Sequence, residues 1–229
     1  MSAAPREPVA AGAIARLPLF QHVSRPHLAE IVRHARTLHA RRGEIVAQSG
    51  ETVPGLFAVT YGMVKLVLHG GAGAERVLRL VGPSQTFGEV VLFLQRPLPL
   101  DAVALVDTRL VLVPAAPLLE LLERDAHFAR SLIASLCQRM HELVCDFEAT
   151  TMHGATPRLA AYLESLAHEP GATRVTLPAA KKIIAARLGM TKETFSRALH
   201  ELAHGGLVRL AGREVLLLDR AGLERTARS

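Results

Sequence analysis

The sequence predicts an α+β protein with an N-terminal β-roll, a long central helix and a C-terminal winged helix-turn-helix. Three observations support this fold. Residues 43–113 consist of short β-prone runs separated by turn residues, which is typical of an antiparallel sandwich or barrel. From residue 129 onward, apolar residues recur at helical spacing. Beyond residue 157, two helical segments with a glycine in the short gap between them precede two further β-prone runs.

Composition limits the class of protein. With 229 residues and 49% hydrophobic residues, the chain can bury two cores. No run of about 18 apolar residues occurs and the N-terminus lacks a secretory pattern, so we expect a cytoplasmic protein without membrane contact. Two cysteines, Cys137 and Cys145, cannot build a disulfide framework. They also cannot supply the four ligands of an iron-sulfur cluster.

Positive charge is concentrated at the C-terminal end. Residues 151–229 hold 12 Lys and Arg against 7 Asp and Glu, whereas the rest of the chain holds 15 against 14. A local excess of this kind favours a phosphate-binding module, although a solvated basic surface would show the same numbers.

The predicted roll has about eight strands. Its β-prone runs are GEIVAQ, GLFAVTYG, MVKLVLH, ERVLRLVG and DAVALVDTRLVLV. Gly70, Gly71 and Gly73 favour a hairpin turn between two of them. The preceding segment reads as short helices, with Ser24 as an N-cap and Pro26 in the first turn.

The central helix carries an apolar stripe with alternating spacings of four and three residues, which indicates a two-stranded coiled-coil seam and hence a homodimer. The stripe consists of Ala129, Ile133, Leu136, Met140, Leu143 and Phe147. The alternative is a helix packed on its own barrel. Gly154 and Pro157 then break the helix, which places a hinge between residues 150 and 157.

Two helices follow in close succession. The first ends at Gly189, and the second has Thr191 as its N-cap and ends at Gly205 and Gly206. Phe195, Leu199 and Leu202 share one face of the second helix, where they can anchor it. The last two β-prone runs, around Ala211 and Gly212, predict a hairpin wing.

The other face of the second helix carries groups that can bind DNA. Glu193, Arg197 and His200 lie together there, flanked by Lys192 and Ser196. Arginine can donate to guanine O6 and N7, and glutamate can accept from cytosine N4 in the major groove. The alternative is a solvated face with a Glu193–Arg197 ion pair. Lys181 and Lys182 on the preceding helix are candidate phosphate contacts.

Over almost its full length the chain resembles the Crp/Fnr family of regulators. In the roll, the resemblance rests on Gly43-Glu44, Gly50-Glu51, Phe57, Val59, Gly62 and Val64-Lys65, and on Phe87-Gly88-Glu89, which opens the phosphate cassette. In the last domain, residues 193–197 (ETFSR) match the Fnr-type recognition helix. This match implies that Glu193, Ser196 and Arg197 read a TTGAT-like half-site of double-stranded DNA, and it raises the possibility of an RNA polymerase partner.

The chain departs from this resemblance at the effector site, for which the candidate residues are Phe87, Gly88, Glu89, Pro99 and Leu100. In cyclic-AMP binders the cassette ends in an Arg-Ser pair that holds the phosphate. Here Pro99 and Leu100 occupy those positions, and an apolar pair cannot compensate a buried phosphate. We therefore expect no cyclic nucleotide.

Among the remaining branches, the chain most resembles the dissimilatory nitrate respiration regulators. That resemblance implies a non-covalently bound haem b and nitric oxide as the effector. Candidate axial ligands are His22, His27, His69 and His168, each of which could equally be a surface histidine. A different small metabolite is the alternative effector.

Enzymatic functions find little support. The sequence lacks the serine-hydrolase, P-loop and zinc-protease motifs. A cupin-like metal enzyme would need clustered ligands on the barrel strands, where His69 stands alone. We expect no catalytic residues and no metal. The predicted domains are a sensor roll (1–124), a dimerisation helix (125–150) and a winged helix-turn-helix (151–229).

Overall fold

The computed structural model describes residues 11–70, 75–94, 96–152, 154–167 and 172–228. Gly71, Gly73 and His168 lie outside these ranges. The chain forms two compact units that divide between Arg139 and Met140. The division falls within one continuous helix, Ala126–Met152.

The N-terminal unit is a β-roll with helices on its outside. Its strands are β1 (Arg36–Ala40), β2 (Ile45–Ala47), β3 (Gly55–Tyr61), β4 (Val64–His69), β5 (Glu75–Val81), β6 (Thr86–Phe87), β7 (Asp101–Ala104) and β8 (Thr108–Pro114). They form two antiparallel sheets in the orders β1-β8-β3-β6 and β2-β7-β4-β5. The predicted roll and its antiparallel pairing are confirmed.

The helices of this unit are α1 (Ala11–Ala15), a 3-10 turn (Pro18–Phe20), α2 (Arg25–His34), α3 (Glu89–Leu94), α4 (Ala115–Arg124) and the beginning of α5 (Ala126–Met152). Ser24 is at the N-cap position of α2, as predicted, but its side chain makes no capping hydrogen bond. Four elements, β1, β6, α3 and α4, were not predicted from the sequence. The first three have at most six residues, whereas α4 has ten and an amphipathic face, with Leu118 and Leu121 buried.

Strand β3 is buried on both faces, because alternate side chains of a strand point to opposite sides of the sheet. Phe57 and Val59 point into the core between the two sheets. Leu56 and Ala58 belong to a second core beneath the helices. The side chains of β3 thus enter two cores, one on each face of the sheet. This explains the nearly continuous apolar run in the sequence of β3.

The second core anchors the beginning of α5. Phe128 and Leu132 are buried there, and the ring of Phe128 stacks on that of Phe20 with centroids 5.5 Å apart. This part of α5 is fixed to the N-terminal unit by its own side chains.

The C-terminal unit contains the end of α5 and a winged helix-turn-helix. Its further elements are α6 (Ala155–Leu166), β9 (Arg174–Thr176), α7 (Lys181–Arg187), α8 (Lys192–His204), β10 (Val208–Ala211), β11 (Glu214–Leu217) and α9 (Arg220–Ala227). The strands form an antiparallel sheet in the order β10-β11-β9. The hairpin β10–β11 was predicted, whereas β9 and α9 were not.

Asp125 caps α5. Its Oδ1 accepts the backbone N–H groups of His127 and Phe128 at 3.0 Å each, which satisfies two donors that a helix start leaves unpaired. The Phe128 N–H, followed by the His27 side chain, lowers the pKa of the Asp125 carboxyl although partial burial acts in the opposite direction. The cap is therefore held as a carboxylate.

We expect Asp125→Ala to lower the free energy of unfolding by about 1 kcal/mol, because the helix loses its cap. The native pKa lies below the unfolded value, so the wild-type contribution is present above about pH 4 and is lost as pH falls through the native pKa. Urea unfolding followed by circular dichroism at several pH values measures both effects. Glu123→Ala, at an exposed position on α4, is the control, and equal losses in the two variants would contradict the cap.

Candidate functional site

The two helices α7 and α8 are joined by a tight turn. Gly189 adopts a φ of +63°, a conformation that disfavours residues with a Cβ. Thr191 then caps α8, since its Oγ1 accepts the N–H of Thr194 at 3.1 Å. The predicted turn and cap are both present.

One face of α8 is fixed in the core and the opposite face is open. Phe195, Leu199 and Leu202 are at most 4% exposed, as their spacing predicted. All seven candidate DNA contacts are exposed: Lys181, Lys182, Lys192, Glu193, Ser196, Arg197 and His200. The buried face of α8 therefore fixes the orientation of the helix, and its polar face points to solvent.

The Glu193 carboxyl is arranged as an acceptor at the beginning of this helix. Its own backbone N–H and the Thr191 hydroxyl hold its pKa below the ordinary value. Glu193 is therefore ionised at neutral pH. Among the ion pairs found in the described ranges, none joins Glu193 to Arg197. The structure therefore does not show the Glu193–Arg197 ion pair of the alternative interpretation.

Two arginines of the wing hairpin, Arg213 at its tip and Arg209 on its first strand, have different surroundings. Arg213 lies in the β10–β11 turn, but its guanidinium donates to the carbonyl oxygen of Leu177 at 3.3 Å (Nε) and 2.9 Å (Nη2). Arg213 therefore fixes the wing hairpin to the segment after β9. Arg209 on β10 is exposed and was not singled out from the sequence, because a lone arginine on a short strand carries no pattern.

The cassette opens on a turn with a glycine at positive φ. Phe87 is buried and stacks on Phe57 with ring centroids 4.9 Å apart. Gly88 has a φ of +96°, and a Cβ there would lie 3.1 Å from the carbonyl oxygen of Gly55. Glycine is required at this position for both reasons, and the turn directs Glu89 into the protein.

Glu89 forms a buried ion pair with α5. Its Oε2 lies 2.5 Å from Nη1 of Arg139, and the two side chains are 8% and 17% exposed. Arg139 Nη2 also donates to the Thr86 hydroxyl at 2.6 Å, and Arg79 donates to the Thr86 carbonyl oxygen at 3.0 Å. The second carboxylate oxygen, Oε1 of Glu89, is buried without a hydrogen-bond partner.

Glu89 was predicted from the sequence, whereas Arg79, Thr86 and Arg139 were not. Arg139 is 50 positions from Glu89 in the chain and interrupts no apolar stripe, so no local signal identifies it. Pro99 and Leu100 occupy the clamp positions, where cyclic-AMP binders have the Arg-Ser pair that holds the phosphate. Pro99 is exposed, and Leu100 packs against the roll core. The clamp positions therefore offer no charged or hydroxyl side chain.

Three of the four histidine candidates for haem, His22, His27 and His69, lie in the described residues. A ligating histidine offers one ring nitrogen to the iron and commonly donates the other to a carboxylate or a carbonyl group. His69 is on the surface, and its Nε2 contacts Asp101 Oδ2 at 2.8 Å. His27 lies beside Asp125, with Nδ1 3.5 Å from Oδ2, in a shallow depression that is also lined by charged side chains. His22 is exposed.

The predicted coiled-coil stripe is largely exposed on the isolated chain. Ile133, Leu136, Met140, Leu143 and Phe147 are 36–69% exposed, and Ala129 is half-buried. The side chains that pack α5 onto its own unit are different ones, Phe128 and Leu132. Exposed apolar area of this extent is typical of a surface that another molecule covers.

Comparisons with known proteins agree in both units. Residues 37–125 match the cyclic nucleotide-binding domain family, and residues 157–226 match the Crp-like helix-turn-helix domain family. The cyclic AMP receptor protein of Thermus thermophilus is 31% identical over 81% of this chain and 85% of its own length. The CRP-like cAMP-activated global transcriptional regulator of Mycobacterium tuberculosis is 29% identical over 94% and 98%.

The chain belongs to the Crp/Fnr family. The structure of FixK2 from Bradyrhizobium japonicum, with 24% identity, has the same fold, with a TM-score of 0.73 over 84% of this chain and 96% of FixK2. The chain is thus a DNA-binding transcription regulator of the Crp/Fnr type. In the parts of the chain that the structure covers, no helix is long and apolar enough to cross a membrane.

For this Crp/Fnr regulator we expect Arg139→Ala to lower the free energy of unfolding by about 3 kcal/mol, because Glu89 would remain buried as an unpaired charge. Removing both charges, in Glu89→Gln with Arg139→Gln, should recover part of the loss. Urea unfolding monitored by circular dichroism measures both. Arg130→Ala, an exposed arginine on the same helix, is the control, and a loss no larger than the control's would contradict the buried pair.

Proposed function

We propose that the chain is a homodimeric transcription regulator that binds a TTGAT-like pseudo-palindromic site and responds to a small effector that is not a cyclic nucleotide. The observation that carries the proposal is the polar face of α8. This face is exposed, contains arginine, glutamate and serine within one turn, and is held in place by a buried face opposite.

Arg197 and Glu193 supply complementary chemistry for reading bases. A guanidinium can donate to O6 and N7 of guanine, and an ionised carboxylate can accept from N4 of cytosine. Lys181 and Lys182 begin α7, where exposed ammonium groups suit phosphate oxygens. These four residues therefore divide into base readers and backbone contacts.

Substitutions should separate these two roles. Arg197→Ala should weaken binding to the preferred site by about 1 to 3 kcal/mol and relax the preference at one base pair. Lys181→Ala should weaken binding to all sequences about equally and reduce the salt dependence. Fluorescence anisotropy on the TTGAT site and on single-base variants measures both effects.

An exposed basic residue away from α8 provides the control for these measurements. Arg225 lies on α9 and is 74% exposed, so Arg225→Ala should leave base preference unchanged. If selection from random DNA returned a motif unrelated to TTGAT, the recognition assignment would be wrong.

The exposed stripe on α5 supports the homodimer. A two-fold pair of α5 helices would cover these apolar side chains in a coiled coil. Each recognition helix would then enter one of two major grooves about one helical turn apart on the same side of the duplex. A contact with RNA polymerase belongs to the same proposal, without an assigned residue.

Relatives suggest cyclic AMP as the effector, because the names of two of them specify it. The clamp positions of this chain argue against it. A cyclic phosphate carries a full negative charge whose burial requires a cation or hydrogen-bond donors, and the side chains of Pro99 and Leu100 supply neither. We therefore propose that the effector binds at the cassette around Glu89 and is not a cyclic nucleotide.

The haem and nitric oxide hypothesis from the sequence is a more specific form of the same proposal. Among its candidate ligands in the described residues, His22 is exposed, and His27 and His69 each have one ring nitrogen beside an aspartate. The alternative is a different small metabolite bound beside Glu89, whose Oε1 is buried without a hydrogen-bond partner. Such a molecule would carry an N–H or O–H group for the buried Oε1 of Glu89, since an unsatisfied carboxylate oxygen is costly.

Calorimetry should detect no binding of cyclic AMP or cyclic GMP at micromolar concentrations, because the phosphate has no partner. A double variant, Pro99→Arg with Leu100→Ser, restores the clamp and should bind cyclic AMP more tightly than the wild type. Micromolar binding by the wild-type protein would refute the assignment. Haem titration of the same protein, read as a saturable Soret band, tests the more specific hypothesis independently.

A further inference from the structure

Helix α5 carries three metal-ligating side chains at four-residue intervals: Cys137, His141 and Cys145. Residues four apart lie on the same side of a helix, one turn above each other. The structure brings two of them into contact, with Cys145 Sγ and His141 Nε2 3.7 Å apart. Both side chains are exposed. The proposed DNA-binding face, dimer stripe and effector site do not include them.

The distance between these two atoms suits a shared metal ion. A tetrahedral zinc ion bound at about 2.3 Å from sulfur and about 2.0 to 2.1 Å from nitrogen holds these ligands about 3.6 Å apart. The observed separation is thus nearly that of two ligands on one ion, so little rearrangement is needed. Imidazole and thiolate together select zinc and similar ions over magnesium or calcium.

We propose that His141 and Cys145 form a binding site for a thiophilic divalent transition-metal ion, with zinc as the representative. The ion would bridge one turn of α5 and complete its coordination with water or with a group from outside the chain. In the residues that the structure describes, no third His, Cys, Asp or Glu joins such a group. The site therefore resembles an open centre more than a closed structural one.

The position of the pair keeps it accessible in a dimer. Cys145 is two residues from both Leu143 and Phe147 of the apolar stripe, which turns it about 160° away from them around the helix. A coiled coil along the stripe would leave the pair on its outer side. Asp146, next to Cys145, already pairs with Arg187 at 3.3 Å, so it is not counted among the ligands.

Cys137 provides a matched comparison within the same helix. It is also four residues from His141, but it lies about 12 Å along the helix axis from Cys145, too far for both thiols to ligate one ion. Of these two cysteines, Cys145 is the one in contact with His141 in the part of the chain that the structure describes. The proposal therefore predicts that the two cysteines behave differently.

The test is an anaerobic titration of the reduced, metal-free full-length protein with Co²⁺, followed by displacement with Zn²⁺. A thiolate ligand produces a near-ultraviolet charge-transfer band, which should saturate at one ion per chain in the wild type and in Cys137→Ser. The band should be lost in Cys145→Ser. His141→Ala should weaken Co²⁺ binding by more than about tenfold, since disturbing even an outer partner of a metal ligand costs that much.

His34→Ala, an exposed histidine on α2, is the histidine control, and circular dichroism checks that every variant is folded. Proton release on adding Zn²⁺ to weakly buffered protein is a second readout, because the thiol must lose its proton to bind. The proposal is overturned if the wild type gives no saturable band, which would leave an ordinary S–H···N hydrogen bond only. It is equally overturned if Cys137→Ser rather than Cys145→Ser abolishes the band.

Discussion

The buried ion pair between Glu89 and Arg139 links the cassette of the N-terminal unit to helix α5. Two charges removed from water are tolerated only when they face each other, so the pair has one favourable geometry and few alternatives. Glu89 begins the cassette helix and Arg139 belongs to α5. A molecule bound beside Glu89, as proposed, would therefore alter a contact of α5, the helix that carries the predicted dimer stripe, and would link the effector to assembly.

Much of the fold was accessible from the sequence, because its elements carry strong local signals. Turn residues separate the β-prone runs of the roll. Strands β3, β4 and β5 begin and end within one residue of the runs that predicted them. The helix-turn-helix was predicted from Gly189, Thr191 and the spacing of Phe195 and Leu199. Each of these signals reflects a constraint within a few residues, such as a positive φ, a cap or a buried face.

The candidate effector site could be predicted from the sequence only in part. Phe87, Gly88 and Glu89 form a contiguous motif, whereas the partner of Glu89 comes from α5 and depends on tertiary packing. The histidine candidates illustrate the same limit, because composition counts histidines but does not show which carboxylate each one faces. His69 and His27 both lie beside aspartates that are distant in sequence.

The two faces of α5 separate folding from assembly. Phe128 and Leu132 lie in the core of the N-terminal unit, whereas Leu143 and Phe147 are exposed and belong to the seam of the proposed homodimer. In that proposal, occupancy of a two-half-site operator would rise with more than the first power of protein concentration wherever monomers predominate. Cellular copy number would then control this regulator alongside any effector.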